Sequence, residues 1–290
     1  MTFYLADVFG TNNYTGNQLA VFFDFGELSA LEMQKIAREI NFSETTFVTS
    51  RETMNNGYPV RIFTPGQEIE FAGHPVLGTA AIISRYLEDG NSPVVRLNLK
   101  AGQIPVTFAD GILWMRHNQP YFGRIMDPGE VSGMLGLEPD QIDDRFPIQE
   151  VTTGLPFTII PLKTLDDLKR ASVQLKTYND FISKTWAKGI QIFSQQAYEE
   201  HHHLSCRVFV NYLGIPEDPA TGSAAGCLAA YLVNHMMFGS GQIEKTIGQG
   251  YEIGRPSEIR IKAQVTGNEY EVYVGGKVFE IAKGEWKVKG

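Results

Sequence analysis

The chain has 290 residues, enough to bury the core of one large or two ordinary domains without help from disulfides or a structural metal. With 43% hydrophobic and 20% charged residues it is no disordered chain, and a net charge of −8 without a basic cluster excludes a binder of phosphate backbones. Its apolar runs fall far short of a membrane span, no basic leader precedes an apolar core, and the two cysteines, Cys206 and Cys227, lie outside any CxxC pattern. A soluble, unexported, cytoplasmic protein with no nucleic-acid or membrane partner is expected.

In chain order, Gly16-Asn-Gln-Leu-Ala-Val-Phe22 reads as a glycine turn entering a strand. Ser29-Ala-Leu-Glu32 has the spacing of a capping box, and Met33, Ile36, Ala37 and Ile40 come next at i, i+3, i+4, i+7, which predicts a helix with one apolar face. Thr45–Val48 is β-branched and aromatic and predicts a strand, with Glu44 at its entrance, a place where a carboxylate has poor β-propensity. Phe71-Ala-Gly-His-Pro75 then opens an apolar helix along Val76, Ala80, Ile83 and Leu87, with Pro75 expected at its first position. Strands over VVRLNLK and QIPVTF close this half around Ala101-Gly102.

The same plan returns. Gly154–Ile160 repeats the glycine turn and strand, Leu165–Ala171 a shorter helix, and Gly189–Phe193 the next strand. Arg61-Ile-Phe63 recurs as Arg207-Val-Phe209, and the helix start at Gly73 recurs at Gly222, each about half a chain later. After Gly222, Ser223 is the expected N-cap of a helix carrying Ala224, Leu228 and Tyr231 on one face, and strands over SEIRIKAQV and EYEVYV end the half. Asn118-Gln-Pro120 breaks the pattern. The expected domains are therefore residues 1–118, with about 282–290 returning to them, and residues 119–281, with a ligand site between two like halves.

A helix start leaves amide donors without intrahelical partners and carries a partial positive charge, so Gly73 and Gly222 would each favour a carboxylate or an oxyanion. Capping alone also accounts for either stretch; their recurrence at half the chain length, beside His74 and Asp218, argues for more. Other candidates are weaker. His201-His-His203 suggests a metal, but adjacent histidines on an extended segment point in alternating directions, with no carboxylate or cysteine at ligand spacing, so a polar loop and no metal are expected. Gly248-Gln-Gly250 with Gly254 is not GxGxxG, and the segment after Pro256 reads as a strand. His117 and His235 read as packing or surface residues, and Cys227 as a small buried hydrophobe.

GNQLAVF, NFSETTFV, FAGHPVLGTA, EDPATGSAAG and QGYEIGRPS, in that order and over nearly the whole chain, resemble the phenazine-biosynthesis PhzF-like family. The resemblance implies the diaminopimelate epimerase-like fold: an α/β (α+β) chain of two pseudo-symmetric domains, each a curled, mostly antiparallel sheet around a central helix. It implies Glu44 as a proton-shuttling acid and base, with His74, Asp218 and Ser223 completing the catalytic set, and Gly73, Gly222 and Thr221 binding substrate. A homodimer is implied as well. In the related epimerases and racemases a cysteine precedes each helix-opening glycine; here those positions hold Ala72 and Thr221, so two-thiol inversion is ruled out. The family's common GNP turn is GNQ here, and Asn211 stands where a proline is usual.

The expected activity is a cofactor-independent isomerase acting on a small carboxylate-bearing metabolite. Glu44 would take a proton from one carbon and return it to another, while the amides of Gly73 and Gly222 stabilise the developing negative charge. The alternative from another class is a catalytically silent carboxylate-binding protein; a carboxylate such as Glu44 would repel its ligand, so the residue speaks for chemistry. A non-redox lyase or hydrolase using the same carboxyl is a third reading.

Overall fold

The computed structural model describes residues 1–26, 28–90 and 92–288. The first stretch holds β1 (Thr2–Val8), β2 (Asn17–Phe23), α1 (Ala30–Ile40), β3 (Glu44–Val48), β4 (Tyr58–Phe63), β5 (Glu68–Ile69), α2 (Gly73–Leu87), β6 (Val94–Leu99), β7 (Gly102–Ala109) and β8 (Ile112–Arg116). Next come β9 (Tyr121–Met126), α3 (Pro128–Val131), β10 (Ile148–Thr152), β11 (Pro156–Pro161), α4 (Leu165–Arg170), α5 (Leu175–Ile182), β12 (Gly189–Ser194) and β13 (Leu204–Val210). The chain ends with β14 (Ile215–Asp218), α6 (Gly222–Asn234), β15 (Gln242–Gln249), β16 (Ser257–Thr266), β17 (Glu269–Gly276) and β18 (Val278–Glu285). Among the described residues no helix is long and apolar enough to cross a membrane.

Two compact units result, one of Met1–Arg116 with the C-terminal stretch from Gly275, the other of His117–Val274. The chain re-enters the first unit earlier than Ala282 because β18 runs antiparallel to β1 along its length, from Val8↔Val278 to Thr2↔Glu285. Residues 289 and 290 of the expected tail lie outside the described residues.

Within the first unit β1 pairs antiparallel with β2, β2 parallel with β3, β3 antiparallel with β4, β4 parallel with β6, and β6 and β7 continue antiparallel to β8. The second unit repeats the series: β10 with β11 antiparallel, β11 with β12 parallel, β12 with β13 antiparallel, β13 with β15 parallel, β15 with β16 antiparallel. Strand β16 shows why such segments form sheets: Ile259, Ile261 and Ala263 turn inward and alternate with the more exposed Arg260, Lys262 and Gln264.

Each sheet wraps a central helix. Helix α2 touches β1, β2, β3, β6, β7, β8 and β18, and α6 touches β10, β11 and β16. Both helices are buried almost all round, as sequences apolar on every face require. Gly78 lets α2 sit close to the sheet, since a Cβ there would lie 2.5 Å from Leu19 Cδ2. Helix α1 packs Met33, Ile36 and Ala37 against Phe22, Phe47 and Phe63, and its Ser29–Glu32 capping box is formed.

The Arg-x-Phe repeat is a structural one. Arg61 on β4 forms a two-pronged pair with Glu68 on β5, Nε–Oε1 and Nη2–Oε2 both 2.8 Å, and its guanidinium lies 5.2 Å from the Phe63 ring centroid. Arg207 on β13 does the same with Glu217 on β14, at 3.0 and 2.7 Å, and lies 5.0 Å from Phe209. Each pair holds the short strand that leads into the central helix of its half.

Candidate active site

In the first unit, Glu44 opens β3 opposite Leu19 of β2, and His74 is the second residue of α2. The fold brings them together: His74 Nε2 is 3.4 Å from Glu44 Oε2, with the two side chains 6% and 14% exposed. On the other side of the ring, Asn17 Nδ2 lies 3.2 Å from His74 Nδ1. When that amide donates, the neutral ring carries its proton on Nε2, the atom facing Glu44. Burial holds the imidazole far below its ordinary range, at about 3, with the Gln18 backbone pulling weakly the other way, so the ring stays neutral at physiological pH.

Helix α2 starts at Gly73, not Pro75, which falls two residues later in the first turn, where an absent N–H still costs no intrahelical bond. The first bond of that turn runs from Val76 N–H to the Ala72 carbonyl, so the amides of Gly73 and His74 have no acceptor within the helix. A neutral imidazole on the first turn of a helix therefore faces one carboxyl.

In the second unit the helix start is arranged differently from the expectation. Ser223 is not the N-cap; Thr221 holds that position, and Ser223, 7% exposed, lies inside the first turn. Thr221 makes no capping bond because its hydroxyl donates to Asp218 Oδ2 at 2.5 Å. Gln249 closes the group, donating from Nε2 to the Asp218 carbonyl (2.8 Å) and to Thr221 Oγ1 (3.1 Å), while its Oε1 accepts from the Thr221 amide (3.4 Å). Gly222 opens α6, as Gly73 opens α2.

Thus Glu44 and His74 form one group and Asp218 and Thr221 another, each joined by a residue that sequence reasoning missed. Asn17 and Gln249 are both 1% exposed and sit beside glycines with positive φ, Gly16 (+79°) and Gly250 (+81°). A Cβ on Gly16 would lie 2.4 Å from the Val8 carbonyl oxygen, and one on Gly250 2.4 Å from that of Arg255. An amide residue next to an obligatory glycine, in GNQ and in QGY, was the available signal.

Neither cysteine competes for the role of base. Both are free and buried, and burial pushes the Cys227 thiol up to about 12 and Cys206 up as well. His117 is a core residue, its Nδ1 2.9 Å from Thr153 Oγ1, and His235 Nε2 contacts Gln149 Oε1 at 2.9 Å.

Two like halves, each with a curled sheet around a buried helix that opens on a glycine, make up the diaminopimelate epimerase-like fold. Residues 6–284 match the model of the phenazine biosynthesis-like protein family, PhzC-PhzF, and the chain belongs to that family. It is 33% identical to trans-2,3-dihydro-3-hydroxyanthranilate isomerase of Pseudomonas aeruginosa, over 96% of each chain. It is 30% identical to an uncharacterized isomerase of Mesorhizobium japonicum, over 97% of each. The crystal structure of a PhzF-family phenazine biosynthesis protein from Bacillus anthracis superposes with a TM-score of 0.89 at 26% identity, covering 99% of both chains. The protein is an isomerase of that family.

Proposed function

We propose that the protein moves a proton between two carbons of a small carboxylate-bearing metabolite, without a cofactor, and that Glu44 is both the acid and the base. The Glu44 carboxylate takes the proton of a C–H bond made acidic by conjugation; the electron pair of that bond enters the substrate's π system. The protonated Glu44, whose acidic proton exchanges with solvent between the two transfers, then delivers a proton to a second carbon as the pair collapses there, so in ordinary water substrate and product have equal mass. His74 acts through its neutral Nε2–H, which faces a Glu44 oxygen at 3.4 Å and closes on it during the transfer without placing a second charge beside it. The amides of Gly73 and Gly222 stabilise the charge that develops on the substrate, and Asp218, Thr221 and Ser223 position it.

The observation that carries this reading is the enclosed Glu44 Oε2 lying 3.4 Å from the buried His74 at the first turn of α2. The carboxylate class is supported by the relative named for an anthranilate, itself a carboxylate. A homodimer belongs to the same proposal.

Solvent exchange tests it. In D2O, candidate carboxylates should gain carbon-bound deuterium with the wild-type protein, and Glu44→Gln should lower the rate by about 10²–10⁴-fold, the usual worth of a general acid and base. Undiminished uptake in Glu44→Gln overturns the mechanism. A product of altered mass would point to a lyase or hydrolase, and a carboxylate recovered bound but never exchanged would point to a binding protein.

A further inference from the structure

We infer that His201, His202 and Glu258 form a site for a divalent transition-metal ion of the zinc type, sharing no residue with the groups at the two helix starts. One ligand atom from each residue lies within 4.8 Å of the others. The two histidines do not alternate, because the chain turns here instead of extending: their ring centroids are 4.2 Å apart. The carboxylate that local spacing could not supply arrives from β16. His201 Nε2 stands 3.2 Å from Glu258 Oε2, while Arg260 Nε holds the other oxygen, Oε1, at 3.2 Å. A tetrahedral ion with bonds of about 2.0–2.1 Å needs donors about 3.4 Å apart. The His201–Glu258 pair already has that separation, and a small side-chain rotation brings in the third donor.

The second, independent observation is His202 itself. It is 5% exposed, and neither ring nitrogen has a hydrogen-bond partner among the described residues. A buried imidazole with both nitrogens unserved is an exception among folded proteins and calls for an unseen partner. Its placement is built, not incidental. The ring lies over Gly248 of β15, where a Cβ would come within 2.5 Å of Nδ1, and Tyr251 meets it edge-on at 6.1 Å. The loop is tied down on both sides, by the His202 amide donating to the Glu199 carbonyl (3.0 Å) and the His203 amide to that of Thr246 (2.8 Å). Two imidazoles and one carboxylate suit zinc, cobalt or nickel and leave the remaining coordination positions to water. Arg260 is the outer partner that orients the carboxylate.

The test uses the untagged full chain, stripped with a chelator and titrated with Zn2+ against a chromogenic competitor, with Co2+ absorption as a spectroscopic probe. One equivalent of Zn2+ should bind with micromolar or tighter affinity, and Co2+ should give visible bands of a four- or five-coordinate nitrogen and oxygen site. His201→Ala, at an exposed position where folding is safe, and Glu258→Gln should each weaken binding at least tenfold, whereas His203→Ala should leave it unchanged. Absence of stoichiometric binding, which would mean water serves His202, overturns the proposal. So does binding that survives His201→Ala, or that is lost equally in His203→Ala. None of these readouts depends on Glu44 or on turnover.

Discussion

The two halves share a frame and differ at one decisive position. Both use a two-pronged Arg–Glu pair to seat the strand before the central helix, and both open that helix on glycine. The parallel ladders correspond as well, β2 with β3 and β11 with β12, yet the first residue of β3 is Glu44 where that of β12 is Gly189. The carboxyl proposed to transfer the proton thus has no counterpart at the matching place in the second half. The difference suits the proposed reaction, in which a single carboxyl both removes and returns the proton.

The largest expected effect breaks that asymmetry. Glu44→Gln should cost about 10²–10⁴ in exchange rate with little change in melting temperature. Gly189→Glu should not transplant the function: a Cβ there lies 2.5 Å from the Phe157 ring, so the variant should lose stability in thermal melts and gain no exchange activity in the Glu44→Gln background. Recovered exchange in that double variant would refute a division of labour between the halves.

Next in size is the frame itself. Arg207 is 9% exposed, and its Nη1 also donates to the carbonyls of Leu168 (3.0 Å) and Ala171 (2.7 Å), so it ties the end of α4 to β13. Arg61 is 29% exposed. Removing a partner from the buried pair strands Glu217, so Arg207→Ala should cost about 3–5 kcal/mol in urea denaturation. Arg61→Ala should cost only about 1 kcal/mol, since water can take over for the missing guanidinium. Equal losses would show that the two pairs, alike in geometry, are also alike in solvation.

The central helices sharpen the comparison further through their interior glycines. A Cβ on Gly78 would meet the ends of Leu19 and Val8 side chains, which can yield, whereas one on Gly226 would lie 2.3 Å from Nδ1 of His117, a ring held by Thr153. Gly226→Ala should therefore cost about 2–3 kcal/mol and Gly78→Ala about 1 kcal/mol, read from denaturation midpoints.

These contrasts also mark where sequence reasoning succeeds. The repeat, the glycine helix starts, the α1 capping box and Glu44 at a strand entrance were all legible, because each is a pattern within a few residues or a copy of one. The illegible parts depend on partners far along the chain. Thr221 takes the cap position because its hydroxyl serves Asp218 and its amide serves Gln249, a residue 28 positions on, so Ser223 looked the better cap. Asn17 is set against His74 only by the packing of β2 on α2. His201 and His202 lacked a carboxylate until β16 pairing put Glu258 opposite Gly248.

The smallest effect is expected from pH, and each half supplies one histidine to measure it. His74 in the first half is held down to about 3 and His117 in the second to about 4, in both cases chiefly by burial. In the unfolded chain both titrate near 6.5. Below that value the unfolded state binds the protons that the folded state refuses, so stability falls as the pH is lowered, and the fall stops for each ring only at its folded value. Between pH 7 and pH 5.5 the loss should be about 1 kcal/mol per histidine. Burial also lowers His202, His203 and His235, which add to it with the same sign. Glu68 does not confuse this window: its pair with Arg61 holds it down to about 2, and its stabilising effect is lost only as the pH falls below about 4.5. Urea titrations of chelator-treated protein at the two pH values measure the slope. His74→Gln and His117→Gln should each flatten it by about the same amount, and a variant that keeps the wild-type slope would show that its histidine already charges in the folded state, which for His74 would remove the neutral donor facing Glu44.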